Sequence, residues 1–515
     1  MNAKGGVKTM KKRVCQVLTL LCAAVIGLTP ACAAGAQNSS GVTYEIFIAS
    51  FADGNGDGCG DLQGIVDKLD YLEALHVSRI WLMPIHPSPS YHKYDVTDYE
   101  AIDPAYGTLE DFETLVRACE ERGMEIMLDL VVNHTSSEHP WFRSACEALK
   151  TGSDSPHRDW YNFTDKSADG YHAVPEADGW YYEGRFGSHM PDLNLDNAEV
   201  RAEIACIMAL WQSMGVKGFR LDAVTSYYTG ATGKSTEFVR FLNETAKRND
   251  PDCYLVGEAW ADENTVLALY QSGVDSLFNF PAADQAGRLL KSAMNGKGAA
   301  MAQALADWNT RVRAVSSQSM DAPFLTNHDL GRVRGILRND LAKEKAAAML
   351  YLLLPGAPTI YYGEELGMSG SGKDENKRLP MVWSTTEEAR LCNPPAGADQ
   401  TQRLKEGADA QEADENSLLN CYRQITALRS LAPELQRGVM EALDVGCDSV
   451  AFFKVTDEAT GTAVAVLVNA SATDEAETAL NTLGKTQVLG SYGGALVQNG
   501  TAMLPAASCL LLRVE

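Results

Sequence analysis

Past residue 34 the chain has no apolar run approaching the roughly 20 residues that a membrane-spanning helix needs, which excludes a body built of such helices. No two cysteines stand in C-x-x-C spacing. Of 12 cysteines, three fall before residue 34 and nine are scattered from Cys59 to Cys509. An odd, unpatterned set argues against a disulfide framework and against a zinc site. Most are expected as small buried hydrophobes, with one or two bridges open to an exported protein. Positive charge is short as well. Lys and Arg number 44 against 68 Asp and Glu, a net charge of −24. Such a polyanion is ill suited to nucleic-acid phosphates or to an anionic membrane surface. It favours a neutral or cationic small ligand, or a metal ion. The chain is 45% apolar and 22% charged, which excludes a disordered or collagenous chain. Its 515 residues suffice for about three domains and more than one core.

The N-terminus is a separate matter. Lys4, Lys8, Lys11, Lys12 and Arg13 precede an apolar run from Val14 to Leu28, followed by Ala31, Ala33 and Ala34. A basic start, a short apolar stretch and the small-residue site Ala31-Cys32-Ala33 form the pattern of a secretory signal over residues 1–34. Lipid attachment at Cys32 is the alternative, although Thr29 stands where a lipobox has Leu; an uncleaved anchor is a third reading. The mature protein is expected to be secreted or extracytoplasmic, or held at the cell surface by a lipid.

The body alternates. Tyr44–Ile48, Arg79–Met83 and Glu125–Val131 read as buried strands, with helical periodicity over Leu62–Leu72 and Leu109–Arg122 between them. Residues 136–190 break the rhythm with a polar, Trp/Tyr/Gly/Asp-rich insertion. Five more strands follow, near Gly218–Leu221, Tyr254–Val256, Ser276–Phe280, Ala322–Leu325 and Thr359–Tyr362, with helices near 198–214, 237–247, 262–271, 284–294, 341–353 and 415–429. Eight strand–helix units predict an α/β fold, a closed (β/α)₈ TIM barrel over 41–135 and 191–432, interrupted after strand three by an inserted domain. The tail, 433–515, reads as an all-β sandwich domain.

In such barrels reactive groups sit past the C-terminal ends of the strands. Those positions hold Asn133 and His134 after strand three, Arg220 and Asp222 on strand four, Glu258 after strand five, and Asn327, His328 and Asp329 after strand seven. Each alone reads better as a structural ion pair or a satisfied core residue. Three carboxylates converging on one mouth are costly unless used. Glycoside hydrolysis uses them, as proton donor to the leaving oxygen and as partner of the anomeric carbon. Trp81, Tyr91, Tyr94 and Trp260 would suit stacking on sugar rings.

Asp129-Leu-Val-Val-Asn133-His134, Gly218-Phe-Arg220-Leu-Asp222-Ala223, Gly257-Glu258 and Phe324-Leu-Thr-Asn327-His328-Asp329 together resemble the ordered motifs of the α-amylase family, glycoside hydrolase family 13. The resemblance covers nearly all of residues 41–515. It implies a retaining enzyme acting on α-glucans, with Asp222 as nucleophile, Glu258 as general acid/base and Asp329 as third carboxylate. Arg220 would orient Asp222, His134 and His328 would hydrogen-bond the sugar, and Tyr94 would stack on it. Met190-Pro-Asp192-Leu-Asn194 and the segment Gly367–Trp383 resemble members intermediate between oligo-1,6-glucosidases and neopullulanases, several of them exported α-amylases. Ala223 after the nucleophile favours α-1,4 linkages. Arg378 and Asp95 resemble residues that close the pocket of exo-acting relatives, which keeps open an α-glucosidase, oligo-1,6-glucosidase, neopullulanase or transglycosylase. A non-catalytic glucan-binding protein is the third class. The chain is expected to act as a monomer.

Calcium enters by the same resemblance. Asp53-Gly-Asn55-Gly-Asp57-Gly-Cys59-Gly-Asp61 sets oxygen donors at alternate positions, with glycines that let the chain wrap a hard cation. The twelfth position is Gly64 rather than the bidentate Glu of an EF-hand. Family members carry a structural Ca²⁺ in a loop of this form, with the residue at the Cys59 position giving its carbonyl. Asn133 and Asp192 match ligands of a second calcium site, but the Lys-His that a branch of the family carries after the nucleophile is replaced by Ala223-Val-Thr-Ser-Tyr227.

Overall fold

The computed structural model describes residues 40–386, 391–444 and 446–515. The leader and Cys32 lie outside them. Among the described residues no helix is long and apolar enough to cross a membrane.

Eight short parallel strands form the barrel: β1 (Thr43–Ile46), β2 (Arg79–Leu82), β3 (Glu125–Leu130), β4 (Gly218–Leu221), β5 (Tyr254–Gly257), β6 (Ser276–Phe278), β7 (Met320–Ala322) and β8 (Thr359–Tyr361). They pair in sequence order from β1 to β7, and β8 returns to pair with β1. A parallel bridge between Phe324 and Thr359 closes the ring between β7 and β8. The strands are mostly apolar because helices cover one side and the barrel interior the other, with Glu45, Asp129, Arg220 and Asp321 as charges within them.

Strand seven differs from expectation. It ends at Ala322, where the sequence reading began it. Pro323 cannot donate to a ladder, so Asn327, His328 and Asp329 reach the mouth on a loop. Inside the strand, Asp321 breaks the apolar pattern, yet it is buried against Asn279 and Trp308. The single helix expected over 62–72 is two, Leu62–Val66 and Leu69–Ala74. A helix over Ala299–Val315 was not anticipated, although its buried Met301, Ala302, Leu305, Ala306, Trp308 and Val312 keep helical spacing. Its start packs so tightly on the C-terminal sheet that a Cβ at Gly298 would lie 2.4 Å from the Ala451 nitrogen.

Between β3 and β4 the chain builds more regular structure than its polarity implied. A helix over Pro140–Thr151 is started by His139, whose ring accepts the Trp141 N–H, and stopped by Gly152 at φ 69°. A three-stranded antiparallel sheet follows, with Tyr181–Glu183 between Phe163–Thr164 and Tyr171–Ala173. Its core is aromatic: Phe142 packs edge-on against Tyr161 and Tyr182.

The tail forms two antiparallel sheets, of five and three strands. Ala463–Asn469 is buried along its whole length. Val464, Val466 and Val468 join the core shared with the barrel, while Ala465 and Leu467 pack toward the smaller sheet. All nine cysteines among the described residues are free thiols, five of them buried.

Candidate active site

Arg220 organises the mouth. It points inward from β4 and is 1% exposed. Its Nη1 donates to Asp129 Oδ1 at 2.8 Å and to Asp222 Oδ1 at 2.6 Å. Its Nη2 lies 2.8 Å from Glu258 Oε2. One planar guanidinium thus holds three acids from β3, β4 and β5, which only Arg can do with fixed geometry. The guanidinium lies over Trp81 at 5.2 Å. Trp81 also stacks on Phe278 and is itself buried. It therefore supports Arg220 and cannot take a sugar, which corrects the stacking role read from the sequence.

The turn after β4 sets the second contact. Ala223 sits at φ 44°, a left-handed conformation uncommon outside glycine. That conformation aims its N–H at Glu258 Oε2, 2.9 Å away. A β-branched residue would strain this turn further.

The acids differ in their proton affinities. Burial raises Asp222, Arg220 opposes it, and the balance is pushed up to about 6. Burial likewise raises Glu258, against Arg220 and with help from the Asp222 and Asp329 charges. Asp329 goes the other way: burial would raise it, but His328 and Arg378 hold it well below the usual carboxylate range. His328, which burial would deprotonate, is pushed up to about 10 by Asp329 and Glu45. His134 is pulled down to about 4 by burial and is neutral at pH 7.

These groups open into a cleft of about 380 Å³. Asp222, Glu258, Asp329, Tyr94, His134 and Arg378 line it; Arg220 and His328 lie beneath its floor. Arg378 spans two walls, donating from Nη2 to Asp329 Oδ1 and from Nη1 to the Tyr91 hydroxyl, both at 2.9 Å. Asp95 is a correction. It is buried and does not line the cleft, and its Oδ1 accepts the hydroxyls of Ser88, at 2.7 Å, and of Ser90. Those two hydroxyls tie it into its own loop beside Tyr94, beneath the lining residues His92 and His134.

Several lining residues were missed. Phe186, His189 and Met190 reach the cleft from the insertion, and Asp374 from the segment after β8. Phe186 and Trp260 are 48% and 54% exposed, on loops after β3 and β5. Phe186 rests on His134 and Trp260 stacks on Phe280. Asp129 and Glu45 were also passed over. A charge inside an apolar strand run was the available signal, since a buried acid demands a partner.

The Asp53–Asp61 loop is the candidate cation site. Gly56 and Gly58 have φ of 85° and 93°. The carboxylates turn inward: Asp53 accepts the N–H of Gly56 and of Gly58, and Asp57 that of Cys59. Asp61 accepts those of Gly54 and Asn55 and caps the following helix through Gly64. Among the described residues no three His, Cys, Asp or Glu side chains converge as for a metal, so a site here needs Asn55 Oδ1 and the Cys59 carbonyl beside the aspartates. That all-oxygen set fits a hard cation. At the second position Asn133 donates to Asp192 Oδ1 at 3.2 Å, and burial pushes Asp192 up to about 7.

The family profile described as alpha amylase, catalytic domain, matches residues 45–438. Alpha-amylase 3 of Dictyoglomus thermophilum is 39% identical over 80% of this chain and 82% of its own length. Trehalose-6-phosphate hydrolase of Bacillus subtilis is 31% identical over 78% and 84%. Among solved structures, Eubacterium rectale Amy13B superposes with a TM-score of 0.88 at 39% identity, over 92% of this chain and 95% of its own. An α-amylase from H. orenii superposes with a TM-score of 0.80 at 34% identity, over 92% and 99%. With that profile across most of its length and relatives this similar, the chain belongs to the α-amylase family of retaining glycoside hydrolases, family 13, enzymes of α-glucans.

Proposed function

We propose that this protein is an exported α-amylase that cleaves internal α-1,4 bonds of starch, glycogen and maltooligosaccharides by double displacement. The carrying observation is that Asp222 and Glu258 share one guanidinium at the floor of an open cleft. Sharing it keeps the two carboxyls close, as in retaining glycosidases, where they stand about 5–5.5 Å apart. In this reading Asp222 attacks the anomeric carbon while Glu258, its carboxyl kept protonated by burial, gives its proton to the leaving oxygen. Glu258 then takes a proton from the water that releases the sugar from Asp222. Asp329, ionised at all working pH values, holds sugar hydroxyls with His134, and Tyr94 stacks on the ring at the cleaved position.

Endo action is supported by Phe186 and Trp260, two exposed aromatic platforms beside the carboxyls. A glucan bound on both sides of the cut uses both. Trp260→Ala is expected to raise KM for maltoheptaose about tenfold, ~1.4 kcal/mol of stacking and apolar contact. Its kcat on maltotriose should change far less. Equal losses on both substrates would remove Trp260 from the extended site.

A second reading, exo-glucosidase or transglycosylase, is favoured by the Arg378–Tyr91 contact, which walls one end of the cleft. The deciding experiment is a timed product analysis on soluble starch, maltotriose and pullulan. A ladder of short maltooligosaccharides supports endo action. Glucose alone, or panose from pullulan, moves the assignment to the second reading, and no product from any substrate ends the hydrolase proposal.

The Asp53–Asp61 loop is proposed to hold a structural Ca²⁺, giving three carboxylates, one amide oxygen and one carbonyl. Binding to the folded state alone stabilises it by about 2.7 kcal/mol at a hundredfold excess over Kd. Chelation should therefore lower the melting temperature, and added Ca²⁺ restore it. Asp57→Asn should blunt both effects; an unchanged melting curve under chelation would remove calcium from the account.

A further inference from the structure

The floor of the cleft holds an acid that the reaction above does not use. Glu45 stands in β1 between Tyr44 and Ile46 and is fully buried. Its Oε1 lies 2.5 Å from His328 Nδ1. On the far side of the same ring, Nε2 is 3.1 Å from Asp329 Oδ2 and 2.9 Å from the Tyr94 hydroxyl. A neutral imidazole donates from one nitrogen and accepts at the other, while an imidazolium donates from both. Here a carboxylate oxygen faces each nitrogen, and the Tyr94 hydroxyl beside Nε2 gives its own proton to Asp129, so both nitrogens are placed to donate.

Charged and polar groups reach this ring from several elements. β1 gives Glu45, and the loop after β2 gives Tyr94, stacked on the imidazole at 5.6 Å. Asp129 on β3 accepts the Tyr94 hydroxyl, and Arg220 on β4 reaches the same oxygen. The ring's own loop gives Asp329, with Arg378 beyond it. Trp81 closes the remaining side edge-on. Of these groups, Glu45 is the acid that meets Nδ1, remote from the sugar side.

We propose that Glu45 is a positioning residue for the third carboxylate: it holds His328 as an imidazolium, whose other proton is donated to Asp329 and fixes that carboxylate toward the cleft. The proposal rests on the hydrolytic reading above. Without the Glu45 charge the ring would relax to a neutral tautomer as pH rises, and Asp329 would lose a donor while Arg378 still held it from the other side. The effect should grow with pH, whereas a purely structural loss would lower activity evenly.

The direct test is ¹⁵N-histidine NMR of the whole protein, with the His328 signals assigned by their absence in His328→Gln. Both ring nitrogens are expected to be protonated at pH 8 in the parent, and the ring neutral at pH 8 in Glu45→Gln, which keeps the shape and loses the charge. The matching kinetic result in Glu45→Gln is a loss of kcat/KM that sets in about one unit or more below the parent's alkaline limb, because His328 then gives up its proton before Glu258 does, so that activity at pH 8 relative to pH 6 falls about tenfold. Glu45→Asp should restore part of it. A neutral His328 in the parent at pH 8, or the same protonation in parent and Glu45→Gln, overturns the proposal. Should Glu45→Gln fail to fold, Glu45→Asp is compared with the parent in its place, with part of the His328 protonation at pH 8 expected to be lost and an unchanged ring overturning the proposal. The spectrum also decides if no glucan is hydrolysed, so failure of this proposal and failure of the hydrolase reading remain separate results.

Discussion

Glu258→Gln is expected to lower kcat on maltooligosaccharides by about 10³–10⁴-fold, near the upper end of what one proton-transferring group supplies, with KM not raised. The amide keeps the shape of the side chain, and its oxygen can still accept the Ala223 N–H that now meets Glu258 Oε2. What is lost is the proton for the leaving oxygen. The loss in forming the glycosyl intermediate should therefore shrink on nitrophenyl glycosides, whose leaving group needs no proton. Asp222→Asn removes the nucleophile itself and should be at least as damaging on both substrate types. The pH profile of kcat/KM follows from the same environments. Below about pH 6 Asp222 takes up a proton and activity falls. The alkaline limb belongs to loss of the Glu258 proton, delayed by burial. Turnover undiminished in Glu258→Gln would sink its assignment as the acid.

The second large effect is expected at Arg220. Arg220→Met leaves Asp129, Asp222 and Glu258 buried together with the cation that all three contact removed. Breaking a buried ion pair from one side destabilises by about 3–5 kcal/mol, since an uncompensated charge stays inside. Hydrolysis should be lost as well, because nothing then keeps Asp222 ionised or oriented. The sign with pH is fixed. Without the guanidinium the folded-state affinities of the acids for protons rise further above their unfolded values. Protonation then favours the folded form, and stability is lost as pH rises through the raised values. The variant should thus lie closer to the parent in denaturant midpoint at pH 5 than at pH 7.5. Equal midpoints at pH 7.5 would show that Arg220 does not hold the three acids. Arg220→Lys should recover part of the stability and little activity, because an ammonium cannot match the planar fork.

The particular residues show how far the sequence could be read. Strands four and five were legible because Gly218–Leu221 and Tyr254–Gly257 are short apolar runs, and Asp222 and Glu258 stand directly past them. Strand seven was placed late because Asp321 disguised a buried position and Pro323 a strand end. The helix over Ala299–Val315 was overlooked although its spacing was plain. Asp95 was drawn into the site by its neighbour Tyr94, while in space it serves Ser88 and Ser90. Trp81 was offered to the sugar but is covered by Arg220 and Phe278. In each case the residue type was right for the chemistry and its direction was not written locally.

By itself the sequence determined the alternation of strand and helix, hence the barrel, and the three carboxylates with the arginine among them. Those are properties of local periodicity and of residues one or two places past a strand, which a parallel barrel brings to one mouth whatever the details. The tertiary structure alone decided which acids share a cation, that Ala223 turns its N–H onto Glu258, that Glu45 lies under His328, and that Phe186 of the insertion reaches the cleft. Proton affinity and side-chain direction depend on neighbours tens to hundreds of residues away and on exclusion from water. Both come into being only when the barrel closes and the insertion folds over it.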